Sequence, residues 1–236
     1  MSSIRSLILA STALALSTAC TDVTSSDLLT SGMYADMTAV SMGEGTTELT
    51  AILRAGGALS NTYVELAAGD ELVADLDGEQ KTLGHTQLGA IHAYSTTYPV
   101  DAADSEFHVA FNRTVDAGAP DSVMTMPEPF AFASPGDFSR AAELTITWEP
   151  SGTNDAMQVA IVGPCVFDVD EAITADTGTH TFAADAIQKS NADAEDSCDV
   201  TITLQRRRDG TFDPAFGEGG WVRGVQRRVV TVTSNP

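Results

Sequence analysis

Basic residues are scarce in this chain. Its 236 residues include 12 Lys and Arg against 33 Asp and Glu, which gives a formal net charge of −21. A charge this negative opposes binding to nucleic acid and to an anionic bilayer surface. We therefore expect no nucleic-acid partner, and the ordinary consequence of the charge is a soluble surface that repels its own kind.

Long apolar runs are also missing. The longest candidate, Leu7–Leu16, would span roughly 15 Å as a helix, about half of a bilayer core. It follows Arg5 and precedes the small residues 17–19, which is typical of a signal peptide with its cleavage site. The sequence therefore predicts that residues 1–19 are a signal peptide and that the protein is exported.

Catalytic signatures are absent, and aromatic residues make up only 6% of the chain. The four histidines form neither HExxH nor an i, i+4 pair, and there is no GxSxG, GxGxxG or P-loop. A glycosidase cleft, with two carboxyls among aromatics, is not indicated by so few rings. We expect a non-catalytic protein without a cofactor. The alternative is a hydrolase of envelope polymers whose site is assembled from distant residues.

Cysteine occurs three times, and the first one is informative. The stretch Leu16-Ser17-Thr18-Ala19-Cys20 resembles the lipobox of bacterial lipoproteins, although its large apolar residue lies four places before the cysteine and not three. The resemblance implies that Cys20 carries diacylglycerol and anchors the chain to a membrane. In that family an Asp directly after the cysteine favours the inner membrane, so Thr21 points to the outer one. Simple secretion and an uncleaved segment are the alternatives.

The two remaining cysteines, Cys165 and Cys198, are an even pair once Cys20 is assigned to lipid. An oxidising compartment favours a disulfide between them, and a metal or redox pair is the alternative. Residues 20–31 are rich in Ser, Thr and Asp, so we expect a flexible, lipid-anchored tether there.

Strand-like alternation dominates the rest of the chain. In Leu144–Trp148 and in Val200–Gln205 apolar residues take every second position, which is typical of antiparallel strands with one buried face. Residues 115–121 have the composition of a linker. The sequence therefore predicts an all-β chain of two tandem antiparallel β-sandwich domains, immunoglobulin-like in pattern, at 32–115 and 120–236. The predicted strands are 33–42, 46–55, 62–67, 71–75, 88–97, 106–113, 122–133, 142–148, 156–162, 179–183, 198–207 and 221–233.

The second half resembles a known family. Leu144–Pro150 is similar to the second strand of fibronectin type III domains, whose tryptophan packs in the core, and Cys198–Arg207 with Trp221–Thr233 would match the last two strands. The resemblance implies a fold and not a function. We expect the loop between those strands, Asp209–Gly220, to be long and exposed.

Half of the basic residues lie in this last hairpin, and three aromatic residues flank them. Exposed aromatic rings beside arginine are typical of interaction hot spots, so we interpret the hairpin as a candidate docking face for an anionic partner, an envelope protein or a polysaccharide. Pairing of the arginines with carboxylates across strands is the alternative. The candidate residues are Arg206, Arg207, Arg208, Phe212, Phe216, Trp221, Arg223, Arg227 and Arg228.

One acidic segment is a weak candidate for calcium. Asp168, Asp170 and Glu171 lie close together, and calcium prefers several such oxygens, but the EF-hand spacing is absent. A solvated acidic loop is the simpler interpretation. The sequence thus favours a membrane-anchored envelope lipoprotein that acts as a binding, adhesion or structural module, and a calcium-dependent adhesion module is a further alternative.

Overall fold

The computed structural model describes residues 21–236, and within them the regular structure consists of strands apart from two 3-10 turns, Ser25–Asp27 and Thr30–Gly32. In the described residues there is no helix long and apolar enough to cross a membrane. The strands are β1 Thr21–Thr24, β2 Met33–Ser41, β3 Thr47–Ala55, β4 Thr62–Glu65, β5 Glu71–Leu76, β6 Glu79–Thr82, β7 Gly84–Leu88, β8 Ile91–Tyr98, β9 Glu106–Asn112, β10 Ala119–Thr125, β11 Phe132–Ala133, β12 Phe138–Ser139, β13 Leu144–Trp148, β14 Ala156–Val162, β15 Val169–Ile173, β16 Thr179–Phe182, β17 Cys198–Asp209 and β18 Gly220–Asn235.

Alternating apolar residues explain why these segments form strands. In β2 every second side chain from Met33 is buried, and in β13 Leu144, Ile146 and Trp148 are buried while the threonines between them are exposed. Side chains on a strand point alternately to its two faces, so each strand buries its apolar set against a facing sheet. The predicted all-β fold of tandem sandwiches is confirmed.

Two hydrophobic cores lie between three sheets. A four-stranded sheet, β10-β9-β5-β6, covers the first core, and a three-stranded sheet, β11-β13-β16, covers the second. The opposite side of both cores is formed by one large sheet with the order β1-β4-β3-β2-β18-β17-β14-β15. The two sandwiches therefore share a continuous sheet.

The hairpin of β17 and β18 connects the sandwiches. Its strands have 12 and 16 residues, long enough to cross from one core to the other. Gly220–Gln226 pairs in parallel with β2 over the first core, while Val230 and Val232 pack in the second. This antiparallel hairpin is the pair of closing strands that the sequence predicted.

Residues from both predicted domain ranges contribute to the first core. Met124, Met126, Phe216 and Val222 pack there, although the sequence division assigned them to 120–236. The predicted strand 122–133 is not continuous. It ends at Thr125, because Pro127 and Pro129 follow and proline has no N–H to donate to a sheet.

The N-terminal segment 21–31 is ordered, which corrects the expectation of a flexible tether. β1 pairs in parallel with β4, and the turns after it are held by Arg113, whose side chain is fully buried. The Arg113 guanidinium donates to the carbonyls of Ser25 and Leu28 and forms an ion pair with Asp70 at 3.4 Å. These bonds stabilise the segment on the first sandwich.

Candidate functional site

The arginines of the last hairpin divide between the two faces of the large sheet. Their positions follow strand alternation: Arg206, Arg208 and Arg228 share the inner face with Leu204 and Val230, whereas Arg207, Arg223 and Arg227 share the outer face with Trp221. The predicted cluster is thus two separate groups. We call the first group the inner arginines, and Arg207, Trp221, Arg223 and Arg227 together the outer arginine patch.

The inner arginines hold the segment that connects the two sandwiches. Arg206, which is fully buried, donates to the carbonyl oxygens of Glu128 and Glu149, each at 2.7 Å. Arg208 donates to the Met126 carbonyl at 3.3 Å, and Arg228 donates through Nε to the Phe130 carbonyl at 2.9 Å. The expectation that these three belong to a docking face is corrected, because their guanidiniums are used inside the molecule.

Carboxylates complete this inner network. Asp176 lies 2.9 Å from Arg206 Nη2 and is 1% exposed, and Asp155 accepts two bonds of 2.8 Å from Arg208. Burial alone would raise the pKa of Asp176, but bonds from Ser151 and Trp148 and the nearby Arg206 outweigh it and lower that pKa. The hydrogen bonds that Arg208 donates to Asp155 raise the pKa of the Arg208 guanidinium. Asp176 and the Asp155–Arg208 pair therefore stay charged at neutral pH.

Phe212 and Phe216 lie in the first core, which corrects their assignment to a docking face, although residues 209–211, 214, 217 and 218 of the 209–220 loop are exposed as expected. Phe216 is 1% exposed and its ring stacks on Phe111 at 6.1 Å between centroids. Phe212 is partly buried against the same core. The loop is held on β10, where the Asp121 amide donates to Asp213 Oδ2 at 2.8 Å. Its apolar side chains therefore take part in folding and not in docking.

The outer arginine patch lies on the open face of the large sheet. Trp221 is 43% exposed, and the Arg223 guanidinium stacks over its ring. The Arg207 guanidinium is 5.9 Å from the same ring and 3.4 Å from Asp209. Within the described residues, the side chains of Arg223 and Arg227 make no hydrogen bond or ion pair, and the Nε of each is unbonded. In this part of the chain, neither guanidinium is neutralised by a carboxylate within ion-pair distance, and both Nε atoms are buried.

Burial affects Arg223 without removing its charge. It lowers the pKa of the Arg223 guanidinium to about 10, and the nearby Asp36 carboxylate acts in the opposite direction. Arg223 is therefore still protonated at neutral pH. A partly desolvated cation beside an aromatic ring interacts more strongly with an incoming anion than a fully hydrated one does.

A groove lies next to Arg227. It has a volume of about 390 Å³. Three threonine hydroxyls and two carboxylates lie along it, together with apolar atoms of β2 and the turn after it. Its lining residues are Val40, Met42, Glu44, Thr46, Glu48, Thr50, Thr97 and Arg227. Such a lining offers both donors and acceptors to a polar ligand.

The calcium candidates do not converge. Asp170 accepts a hydrogen bond from Gln158, and Glu171 lies 3.4 Å from His180 Nε2. Asp170 and Glu171 are successive in β15, so they point to opposite faces, and Asp168 is exposed before the strand. In residues 21–236 no group of three or more His, Cys, Asp or Glu is placed to hold a metal ion.

Cys165 and Cys198 form a disulfide, as predicted, with their Cα atoms 5.9 Å apart. The bond joins the segment after β14 to the start of β17, at the edge of the second core. Cys20 lies outside the described residues, and so does the predicted signal peptide 1–19.

One contact was not found by sequence reasoning. His92 is fully buried, and its Nδ1 lies 2.9 Å from Nε2 of His85 on the neighbouring strand. The ring planes are within 6° of each other, so the imidazoles share a hydrogen bond nearly in plane. The sequence did contain a signal for this contact: His85 and His92 are seven residues apart on either side of a short turn, so a hairpin of β7 and β8 brings them together.

No protein-family model and no curated protein matches the sequence. Among solved structures, the chain is similar to a segment of two fibronectin type III domains from chicken tenascin, at 10% identity and a TM-score of 0.25, with 84% of this chain and 96% of that one covered. It is also similar to an I-band fragment of titin, at 9% identity and a TM-score of 0.25, with 83% and 62% covered.

A third similar structure is an enzyme, pullulanase type I of Bacillus subtilis, at 8% identity and a TM-score of 0.21. The match covers 79% of this chain and 24% of the pullulanase. The chain thus spans less than two thirds of the titin fragment and about a quarter of the pullulanase. The fold of this protein is assigned from its own strands, cores and sheet pairing.

Proposed function

We propose that this chain is a lipid-anchored protein of the bacterial envelope that acts without catalysis, as a binding module for an anionic polysaccharide. The observation that carries the proposal is the outer arginine patch: among residues 21–236 the side chains of Arg223 and Arg227 make no ion pair, although the protein has an excess of 21 negative charges. An unpaired cation in so acidic a molecule is best explained by a ligand that supplies the anion.

The shape of the patch favours an extended polymer. Arg223 and Arg227 lie four residues apart on one face of β18, so their Cα atoms are separated by roughly 13 Å along the strand. Arg207 lies opposite Val225, between them, on β17. Charges placed along a flat sheet fit a chain whose carboxylates or sulfates recur at intervals.

Two further features favour a sugar over an acidic protein. The exposed ring of Trp221 offers an apolar face on which a pyranose can stack. The groove beside Arg227 has threonine hydroxyls and the carboxylates of Glu44 and Glu48, which can accept hydrogen bonds from the many hydroxyls of a sugar.

The absence of catalysis is part of the proposal and is supported by the use made of buried carboxylates. Asp155, Asp176 and Asp70 are each bonded to an arginine, and each has a lowered pKa because hydrogen bonds outweigh the effect of burial. These groups act as structural counter-ions. A general acid would need the opposite shift.

Binding is tested with polygalacturonate and with a neutral glucan. We expect the chain to be retarded in gels that contain polygalacturonate, with retardation lost as salt rises and lost in Arg223→Gln/Arg227→Gln. Lys81→Gln/Lys189→Gln is the matched control, because it also removes two cations, which pair with Glu79 and Asp196. Equal retardation of both variants would contradict the proposal, and binding to polyglutamate alone would reassign the partner to an acidic protein.

The anchor is tested separately by metabolic labelling with a radioactive fatty acid, followed by separation of the membranes. We expect label on the wild type, in the outer-membrane fraction, and none on Cys20→Ser. Label that persists in the variant would show that the anchor is elsewhere.

A further inference from the structure

The end of the first sandwich that lies away from the second is formed by three turns: 56–61, 88–91 and 113–118. From the 88–91 turn, β8 leads to Asp101, and the Asp101 carbonyl accepts a hydrogen bond from Gln226. From the 113–118 turn, β10 leads to Met126, and the Met126 carbonyl accepts a hydrogen bond from Arg208. Since both strands run toward the connection between the sandwiches, the turns lie at the opposite end. We call it the distal end.

The distal end carries the most exposed apolar side chains of the described residues. Across residues 21–236 nine large apolar residues are exposed, and the four with the highest exposure are Leu59 at 96%, Leu88 at 79%, Val115 at 69% and Leu29 at 65%. Three of them lie in the distal turns or at their edge. Leu29 precedes Thr30, whose amide donates to Asp116 in the 113–118 turn. Scattered exposed leucines are ordinary, but their concentration at one end is not.

The chain enters the structure at this same end. Thr21 pairs with Thr62, directly after the turn that carries Leu59, and β1 runs away from that turn because it is parallel to β4. Asp22 Oδ2 lies 3.5 Å from Nε2 of His92, next to the turn after Leu88. Thr21, the first described residue, therefore lies at the distal end.

Behind the distal turns, on the outer face, Tyr34 and Tyr63 flank Arg54. Tyr34 on β2 and Tyr63 on β4 each lie directly opposite Arg54 of β3 in the sheet. The Arg54 guanidinium lies 5.7 Å from the centre of the Tyr63 ring. Tyrosine and arginine with apolar stems and polar tips are typical of the level of lipid headgroups.

We infer that the distal end is a membrane-contact surface whose exposed leucines and valine enter the interface of a bilayer. The inference rests on the proposed lipid at Cys20, which would bring this end to the membrane, and on the ordered segment after it, which leaves no spacer. Side chains of this kind reach roughly 5–10 Å into the boundary between headgroups and acyl chains. The second sandwich then points away from the membrane.

The contact is apolar and not electrostatic. Asp22 is 54% exposed at this end, and Glu218 lies beside Gly57 in the 56–61 turn. Such carboxylates would be repelled by anionic lipids, so we expect contact with zwitterionic headgroups, insensitive to salt.

The experiment uses the full lipidated chain in phosphatidylcholine vesicles, after mass spectrometry of the lipid on Cys20. Leu59→Cys and Leu88→Cys are labelled with an environment-sensitive fluorophore, and Phe167→Cys, 56% exposed in the native chain on the second sandwich, is the matched control. The new thiol is the one that reacts, because Cys165 and Cys198 form a disulfide and Cys20 carries lipid. We expect a blue shift and quenching by spin-labelled lipid at 59 and 88, and neither at 167.

Three results would overturn the inference. If lipid is present on Cys20 and the probes at 59 and 88 behave like the one at 167, the distal end does not enter the bilayer, while the anchor stands. If the same probes respond to protein concentration without vesicles, the distal end is a contact between copies. If Cys20 carries no lipid, the anchor of the proposed function fails, and the membrane contact fails with it.

Discussion

At the scale of single residues, Arg206 links the two sandwiches most directly. It is fully buried, and it bonds Asp176 and carbonyls of two separate segments. A buried ion pair adds little by itself, but removal of one partner leaves a charge without compensation. We predict that Arg206→Ala lowers the free energy of unfolding by about 3–5 kcal/mol, as measured by urea denaturation.

The control for this variant is the next residue. Arg207 lies on the opposite face of β17 and its side chain is 29% exposed, so Arg207→Ala should change the free energy of unfolding by less than about 0.5 kcal/mol. Equal losses in the two variants would show that Arg206 stabilises the protein no more than a surface arginine does.

Asp176 makes stability depend on pH. Its pKa is lowered in the folded protein, because bonds from Ser151 and Trp148 and the charge of Arg206 outweigh burial. A lowered pKa means that the stabilisation is present above about pH 3.9, the ordinary value for Asp, and is lost as the pH falls through the folded value. We predict that Asp176→Asn unfolds more easily than wild type at pH 6 and that the difference shrinks below about pH 4.

Urea denaturation at several pH values between 2 and 6 measures this effect. Asp193→Asn is a suitable control, because Asp193 lies in an exposed loop of the same sandwich. A difference between Asp176→Asn and wild type that stays constant over this range would contradict the assignment.

At the scale of elements, close backbone contact holds the hairpin of β17 and β18 against the connecting segment. A Cβ on Gly224 would lie 2.2 Å from the carbonyl oxygen of Thr125, and one on Gly210 would lie 2.2 Å from that of Val123. Both obstacles are backbone atoms, which cannot rotate away. We predict that Gly224→Ala destabilises the protein by at least about 1–3 kcal/mol, the usual result of overpacking.

Gly32 supplies the comparison, since a Cβ there meets nothing within 4 Å and its φ is not positive. Gly32→Ala should leave the thermal midpoint nearly unchanged or raise it slightly. A Gly224→Ala protein as stable as Gly32→Ala would mean that the hairpin and the connecting segment separate without loss.

The same hairpin shows what the sequence predicts and where it stops. The alternation of apolar residues predicted β17 and β18. It also indicated which arginines face inward, because Val200, Ile202 and Leu204 are followed two residues later by Arg206 on the same face. The burial of Phe212 and Phe216 within the 209–220 loop was beyond such reasoning. It depends on the parallel pairing of Gly220–Gln226 with β2, a contact between segments that are far apart in the chain. Local pattern sets the face of a strand but not its neighbour.

The residues of the outer arginine patch were predicted from the sequence, but the groove beside Arg227 was not. Arg207, Trp221, Arg223 and Arg227 were in the predicted set, but the groove beside Arg227 combines residues of β2, β3 and β8 with β18. No periodic signal in one segment indicates a groove made from four strands. Its existence follows from sheet order, which long-range packing decides.

At the scale of the whole molecule, the shared sheet makes the two sandwiches interdependent. The hairpin contributes Val222 to the first core and Leu204 and Val232 to the second. If the first sandwich unfolds, β18 loses β2 as a neighbour along Gly220–Gln226, and the inner arginines lose the carbonyls of the connecting segment. If either sandwich unfolded alone, half of the β17–β18 hairpin would lose its packing contacts with a core.

We therefore predict that the full chain unfolds in one cooperative transition. The two tryptophans report on different parts: Trp148 is 6% exposed in the second core, and Trp221 lies on the outer face over the first. Trp221→Phe leaves Trp148 as the reporter, and Trp148→Phe leaves Trp221. In urea, each variant's remaining tryptophan should give the same midpoint as far-ultraviolet circular dichroism of that variant.

Comparison of each fluorescence curve with circular dichroism of the same variant removes any effect of the substitution on stability. Two steps in circular dichroism, with one of them matched by Trp148 and the other by Trp221, would show that the sandwiches are independent units despite the shared sheet. Coincident curves would instead mean that a ligand bound to the outer arginine patch stabilises the second core as well as the first, because any molecule that binds the folded state alone stabilises the whole cooperative unit.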